Sequence, residues 1–222
     1  MNDDLSRFRH IAIEGPIGAG KTTLARQIAG RIGAELVLEQ PADNPFLDRF
    51  YEDMQGYAFQ TQLVFLFQRQ KQVQAIAQQS MFASSVVSDF MFAKDALFAK
   101  LTLSDDEYRL YSQMFAPIAS QLREPDLVVW LRASPETLLE RVRRRGVSME
   151  QRIDREYLDR LCRGYVEFFE GYAGAPVFAV DTEQFDSRFG LEDVAELLSK
   201  LARLDDRRGI FMPVSAAGIG NT

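Results

Sequence analysis

Nine residues, Gly15-Pro-Ile-Gly-Ala-Gly-Lys-Thr-Thr23, constrain this chain more than any other feature. Gly15, Gly20, Lys21 and Thr22 stand at the spacing of a phosphate-binding loop. Gly15, Gly18 and Gly20 let backbone amides converge on phosphate oxygens. The apolar run His10–Glu14 reads as a strand entering the loop, and Lys21–Ile32, with Leu24, Ile28 and Ile32 at helical steps, as a helix leaving it. That helix turns its positive end toward the anion. Lys21 is expected to reach the terminal phosphates, Thr22 to hold Mg²⁺, and Thr23 to complete the cradle of a nucleoside triphosphate such as ATP. The alternative is a tight strand–helix turn; the strand before the motif and the helix after it favour the phosphate loop.

The rest of the chain repeats short apolar strands separated by helices. Strands are expected at Glu35–Leu38, Ser85–Ser88, Asp126–Leu131 and Val177–Val180. Gln40–Asp53, with two prolines, reads as a loop. Helices are expected at Tyr57–Gln79, Phe92–Lys100, Asp105–Leu122, Pro135–Arg144, Asp154–Tyr172 and Leu191–Leu204. This alternation predicts an α/β fold with a five-stranded parallel sheet covered by helices on both faces. Residues 1–206 read as one domain, and 207–222 as a mobile C-terminal tail.

Composition narrows the function. The 222 residues carry a net charge of −6, which argues against nucleic acid as a partner. Apolar runs are strand-length, short of the roughly 20 residues that cross a membrane. With one cysteine, Cys162, no intrachain disulfide can form, which fits a reducing cytoplasm. The one histidine, His10, precedes the first strand, so proton transfer falls to carboxylates.

Two further groups suit phosphoryl transfer. Val86-Val-Ser-Asp89 is an apolar strand ending in an acid, where a carboxylate could support Mg²⁺ or simply cap a turn. Arg141, Arg143, Arg144 and Arg145 crowd a helix end before Gly146. They read as a lid closing over phosphates, or as a solvated face at the negative end of the helix dipole. Glu39 follows the second strand, where a base beside the phosphates could sit.

Taken together the chain resembles the deoxyribonucleoside kinases, bacterial deoxyadenosine and deoxyguanosine kinases in particular, from the first strand to the last helix. The resemblance rests on the phosphate loop, Glu39-Gln-Pro41, Asn44–Asp53, Phe59-Gln-Thr61, the Asp89 strand end, and Arg141–Leu158. It implies a P-loop kinase fold with an arginine-rich lid. The implied activity is transfer of a phosphoryl group from ATP or another triphosphate to the 5′-hydroxyl of a deoxyribonucleoside, deoxyadenosine favoured. Glu39 would be the general base, and Lys21, Arg141 and Arg145 would stabilise transferred charge. Thr22 and Asp89 would hold Mg²⁺. Tyr51 and Glu150 would bind the 3′-hydroxyl, Phe59 would stack on the base, and Gln60 would pair with its edge. Asp95 would lie near the base, and Gln184 and Phe185 beside the donor adenine. A cytoplasmic homodimer joined through helices is also implied.

The chain departs from the family pattern in three places. Phe90-Met91 stands where arginine and serine usually follow the strand-end acid, with Lys94 one turn on as a substitute cation. Phe67 stands where an arginine near the base is expected, and Val147 where the lid often has one. Two other readings remain open from sequence: a nucleoside monophosphate kinase of the same fold, and a non-catalytic nucleotide-binding or accessory protein.

Overall fold

The computed structural model describes residues 5, 7–79, 85–183, 190–203 and 208–211. Strand β1 (His10–Glu14) passes through the glycine loop into α1 (Lys21–Ile32), followed by β2 (Glu35–Val37). A 3-10 turn at Pro41–Asp43 and α2 (Leu47–Glu52) lead into the long α3 (Met54–Gln79). Next come β3 (Val86–Ser88), α4 (Lys94–Thr102), α5 (Asp105–Ala119), β4 (Leu127–Arg132) and α6 (Pro135–Arg145). A 3-10 turn (Ser148–Arg152), α7 (Arg155–Gly171), β5 (Val177–Asp181), α8 (Leu191–Ala202) and β6 (Arg208–Phe211) complete the order.

The strands form one parallel sheet in the order β2-β3-β1-β4-β5-β6. Its two faces follow from the period-2 alternation of β1. Ile11 and Ile13 join a core with Leu24 and Ile28 of α1 and Leu197 and Leu198 of α8. Ala12, between them, faces Leu97 of α4 and Leu161, Tyr165 and Phe169 of α7. A third cluster, built on Leu66, Val73, Phe90, Phe92 and Tyr111, packs α3 and α5 against β3.

All five expected strands are present, and a sixth is added. β6 pairs with β5 and comes from the segment expected to be a mobile tail, so residues 208–211 are corrected to strand. The loop expected at Gln40–Asp53 contains α2, whose Leu47 and Phe50, three apart, are buried in a small cluster with Ala58. Asn44 anchors this segment: its buried side chain donates from Nδ2 to the carbonyl of Thr61, 3.0 Å away, and accepts from the Phe46 amide at 3.1 Å.

Candidate active site

Parallel strands with right-handed crossovers leave a crevice at their carboxyl ends. The phosphate loop follows β1 there, Glu39 follows β2, Asp89 follows β3 and Thr182 follows β5. The loop needs its glycines for space. A Cβ at Gly15 would stand 2.6 Å from the Leu131 carbonyl oxygen, and one at Gly18, where φ is +86°, 2.9 Å from that of Leu138. The loop is thus pressed between β4 and α6. Lys21 Nζ donates to the carbonyls of Gly15 (2.8 Å) and Pro16 (3.2 Å). Burial and the neighbouring Lys94 lower its pKa, against the pull of Glu14, Glu39 and Asp89. Thr23 is half-buried in the first turn of α1.

Asp89 spans the crevice. Its Oδ2 accepts from Thr22 Oγ1 at 2.5 Å and its Oδ1 from the Glu39 amide at 2.7 Å. Thr22 and Asp89 therefore present hard oxygen donors side by side at the mouth of the loop, a set that suits Mg²⁺, which takes few protein ligands beside phosphate and water.

The Glu39 carboxylate sits between two buried cations. Arg69, from α3, donates to Oε1, and Lys94 Nζ lies 3.3 Å from Oε2. Burial by itself raises the Glu39 pKa, but Arg69, Lys94 and Lys21 outweigh it and hold the carboxyl at about 2. The second arm of Arg69 binds Asp95, which is fully buried. This corrects the reading of Phe67: the arginine beside Asp95 is Arg69, and Phe67 is exposed. Phe90 is core, against Leu66 and Val73, and the nearby cation on the Glu39 carboxylate comes from Lys94 instead.

A cavity of about 150 Å³ opens from Lys21, Thr22 and Asp89 past Glu39 toward α3. Tyr51, Lys94, Arg145 and Glu150 line it, and Arg145 pairs with Glu150 across its rim. Burial raises the Tyr51 pKa well above the usual phenol range, with Tyr157 and Glu150 adding to it. From α3 the lining residues are Thr61, Gln62, Phe65 and Arg69. This corrects three further readings. Gln60 is exposed, because two residues along an α-helix is about 200° around it. Phe59 packs against the Leu66–Val73–Phe92 cluster instead of the cavity. Asp95 is not at the cavity wall either; Arg69 stands in front of it.

Arg141 is buried, and its guanidinium donates to Thr182 Oγ1 at 3.1 Å and to the Thr182 carbonyl at 2.5 Å. Glu183, next in the chain, accepts from the Ser134 amide at 2.7 Å and from the Thr137 hydroxyl, tying the end of β5 to the start of α6. Gln184 and Phe185 lie outside the described residues. In the 3-10 turn after α6, Arg152 bridges Asp48 (2.8 Å) and Glu52 (2.7 Å) of α2. Sequence reasoning missed Arg69 and Gln62; their signal was the helical step from Gln62 through Phe65 to Arg69, at i, i+3 and i+7.

The chain is similar to known proteins in sequence and in fold. The sequence profile of the deoxynucleoside kinases matches residues 11–204. A deoxyguanosine kinase of Bacillus subtilis is 36% identical over 156 residues, 70% of this chain and 75% of that protein. A deoxyadenosine kinase of Dictyostelium discoideum is 36% identical over 182 residues, 79% of this chain and 73% of the relative. Among solved structures, a deoxyadenosine kinase from M. mycoides with bound dATP superposes with a TM-score of 0.74 at 27% identity, covering 88% of this chain and all of that one.

Proposed function

The chain belongs to the deoxynucleoside kinase family, an enzyme with a small-molecule substrate and a nucleotide phosphoryl donor, and from that premise we propose the course of its reaction. The donor is ATP and the acceptor is the 5′-hydroxyl of a deoxyribonucleoside, deoxyadenosine first. One observation carries this reading: the Glu39 carboxylate lines the cavity where it meets the phosphate loop, held by Arg69 and Lys94. A carboxylate there accepts the hydroxyl proton as the 5′-oxygen attacks the terminal phosphorus in line, and the diphosphate leaves. Lys21, Arg141 and Arg145 stabilise the charge on the transferred group, the last two on a lid that closes over the donor. Thr22 and Asp89 would hold Mg²⁺, which would neutralise phosphate charge when bound.

On the acceptor side, Tyr51 and Glu150 take the sugar 3′-hydroxyl. Gln62 takes the role expected of Gln60, because its side chain is the α3 amide that lines the cavity. An amide offers one donor and one acceptor face, which matches the amino group and ring nitrogen of adenine. The relatives named for deoxyadenosine and deoxyguanosine support a purine.

The enzyme works as a cytoplasmic homodimer. Phe67 on α3 and Leu110 on the adjacent α5 are 47% and 50% exposed, large apolar side chains that a second copy would cover. Among the described residues no helix is long and apolar enough to cross a membrane. The deciding experiment is a phosphorylation screen of the four deoxyribonucleosides with Mg·ATP. Deoxyadenosine converted to its 5′-monophosphate is expected; no conversion of any of the four would overturn the reading.

A further inference from the structure

Glu14 ends β1, in the middle of the sheet, and is fully buried. A carboxylate removed from water is costly unless donors surround it. Here they come from three separate parts of the chain. Oε1 accepts from the Gly15 amide at 3.0 Å and from the Tyr165 hydroxyl of α7 at 2.8 Å. Oε2 accepts from the Met91 amide at 3.0 Å and faces Lys94 Nζ at 3.7 Å. Lys94 is itself 2% exposed and divides its charge between Glu14 and Glu39. A second ammonium, Lys21, stands close enough for Lys94 to act on it as a like charge and Glu14 as an opposite one. One carboxylate thus touches the first amide of the phosphate loop, the β3–α4 connection and the cation on Glu39.

We infer that Glu14 is a positioning residue for phosphoryl transfer, fixing the Lys94 ammonium against Glu39 and joining it to the phosphate loop. This rests on the reading of Glu39 as the base. Glu14 is not among the residues that line the cavity, whereas Lys94 is, so Glu14 acts through Lys94. A stitch that merely held β1 to α7 would need the Tyr165 contact and not the Lys94 one.

The test is a double-mutant cycle on the full chain, with kcat and KM measured for deoxyadenosine and Mg·ATP beside thermal unfolding. Glu14→Gln leaves one acceptor oxygen for four donors. It is expected to lower kcat by roughly tenfold to a hundredfold, inside the range of coupling between contacting residues, with KM for deoxyadenosine within about twofold. Adding Lys94→Met should then slow the enzyme no further than the slower single variant. A wild-type kcat for Glu14→Gln, or losses that multiply in the double variant, would overturn the inference. Should Glu14→Gln fail to fold, Tyr165→Phe removes one donor and keeps the charge. Its kcat loss, about fivefold for one hydrogen bond, should vanish in the Lys94→Met background; an equal loss in both backgrounds overturns the inference. Glu39→Gln, assayed alongside, separates the two claims. Multiplying losses with a slow Glu39→Gln defeat the role of Glu14 alone, whereas a normal Glu39→Gln defeats the base and this inference together.

Discussion

Arg69 of α3 donates to the Glu39 carboxylate that follows β2, closing the α3 side of the crevice with a buried ion pair. Its other arm holds Asp95, so one side chain fixes two acids. Removing one partner of such a pair leaves an uncompensated buried charge. In Arg69→Met the burial that raises the Glu39 pKa is opposed by Lys94 and Lys21 alone, and the value climbs from about 2. The base is then ionised only at higher pH, and an acid limb should enter the rate profile. The check is kcat/KM against pH for both proteins; an unchanged acid side would mean that Arg69 does not set the state of Glu39.

Glu39→Gln keeps the shape of the side chain and removes its basicity. Nucleoside binding should persist while the rate falls roughly 10²–10⁴-fold, the usual contribution of general-base catalysis. Single-turnover rates with deoxyadenosine, beside its Kd from a binding titration, give both quantities. A near-normal rate would make Glu39 structural.

Lys21→Ala removes the ammonium that now folds back on the Gly15 and Pro16 carbonyls. Turnover should disappear and ATP binding weaken, since the charge meant for the terminal phosphates is gone. Isothermal titration with ATP tests the second half independently of catalysis, and unchanged affinity would remove Lys21 from the donor site.

The phosphate loop and the strands around it were legible because glycine spacing and unbroken apolar runs are local signals. The acceptor wall was not. Along α3 the buried stripe mixes Leu66 and Val73 with Thr61, Gln62 and Arg69, so polarity does not mark the outer face. Matching the order Phe59-Gln-Thr61 to a family motif then placed the amide two residues early, on the exposed side of the helix. α2 was hidden by Pro41 and Pro45, although Pro41 opens a 3-10 turn, where a missing amide costs nothing. The neighbours of Glu14 come from α4 and α7, 80 and 151 positions away for Lys94 and Tyr165, and no local pattern encodes such contacts.

His10 gives the fold a pH dependence of definite sign. Desolvation lowers its pKa from 6.5 to about 4, with Asp126 opposing. Its Nε2 lies 2.8 Å from Ser88 Oγ, whose own proton goes to the Phe90 carbonyl, so Nε2 is the donor. Between those two pH values the unfolded chain binds the proton and the folded chain does not, so stability rises with pH and is complete above 6.5. About 2 kcal/mol should be lost between pH 7.5 and pH 5, at about 1.4 kcal/mol per pH unit below 6.5. Urea unfolding at both pH values, in the wild type and in His10→Asn, isolates this part. An equal pH slope in the two proteins would assign the effect elsewhere.

The last prediction decides which face of α3 reads the base. Gln62 lines the cavity and its Nε2 reaches Thr102 Oγ1 of α4 at 3.4 Å, a long contact that a base can replace. Gln60 is exposed, and nothing in its position points at the cavity. Losing a buried amide leaves the base edge unpaired, at about 1–3 kcal/mol, which is roughly tenfold to a hundredfold in kcat/KM. Gln62→Ala should therefore cut kcat/KM for deoxyadenosine by that factor, and Gln60→Ala should leave it within about twofold. The wild type, given equal concentrations of all four nucleosides, should convert deoxyadenosine fastest. Thymidine should be slowest, because its ring N3–H and carbonyl call for the flipped orientation of the Gln62 amide. A large loss in Gln60→Ala with none in Gln62→Ala would reverse the face of the helix. Thymidine converted first would show that the Gln62 amide is not held in the orientation that suits adenine.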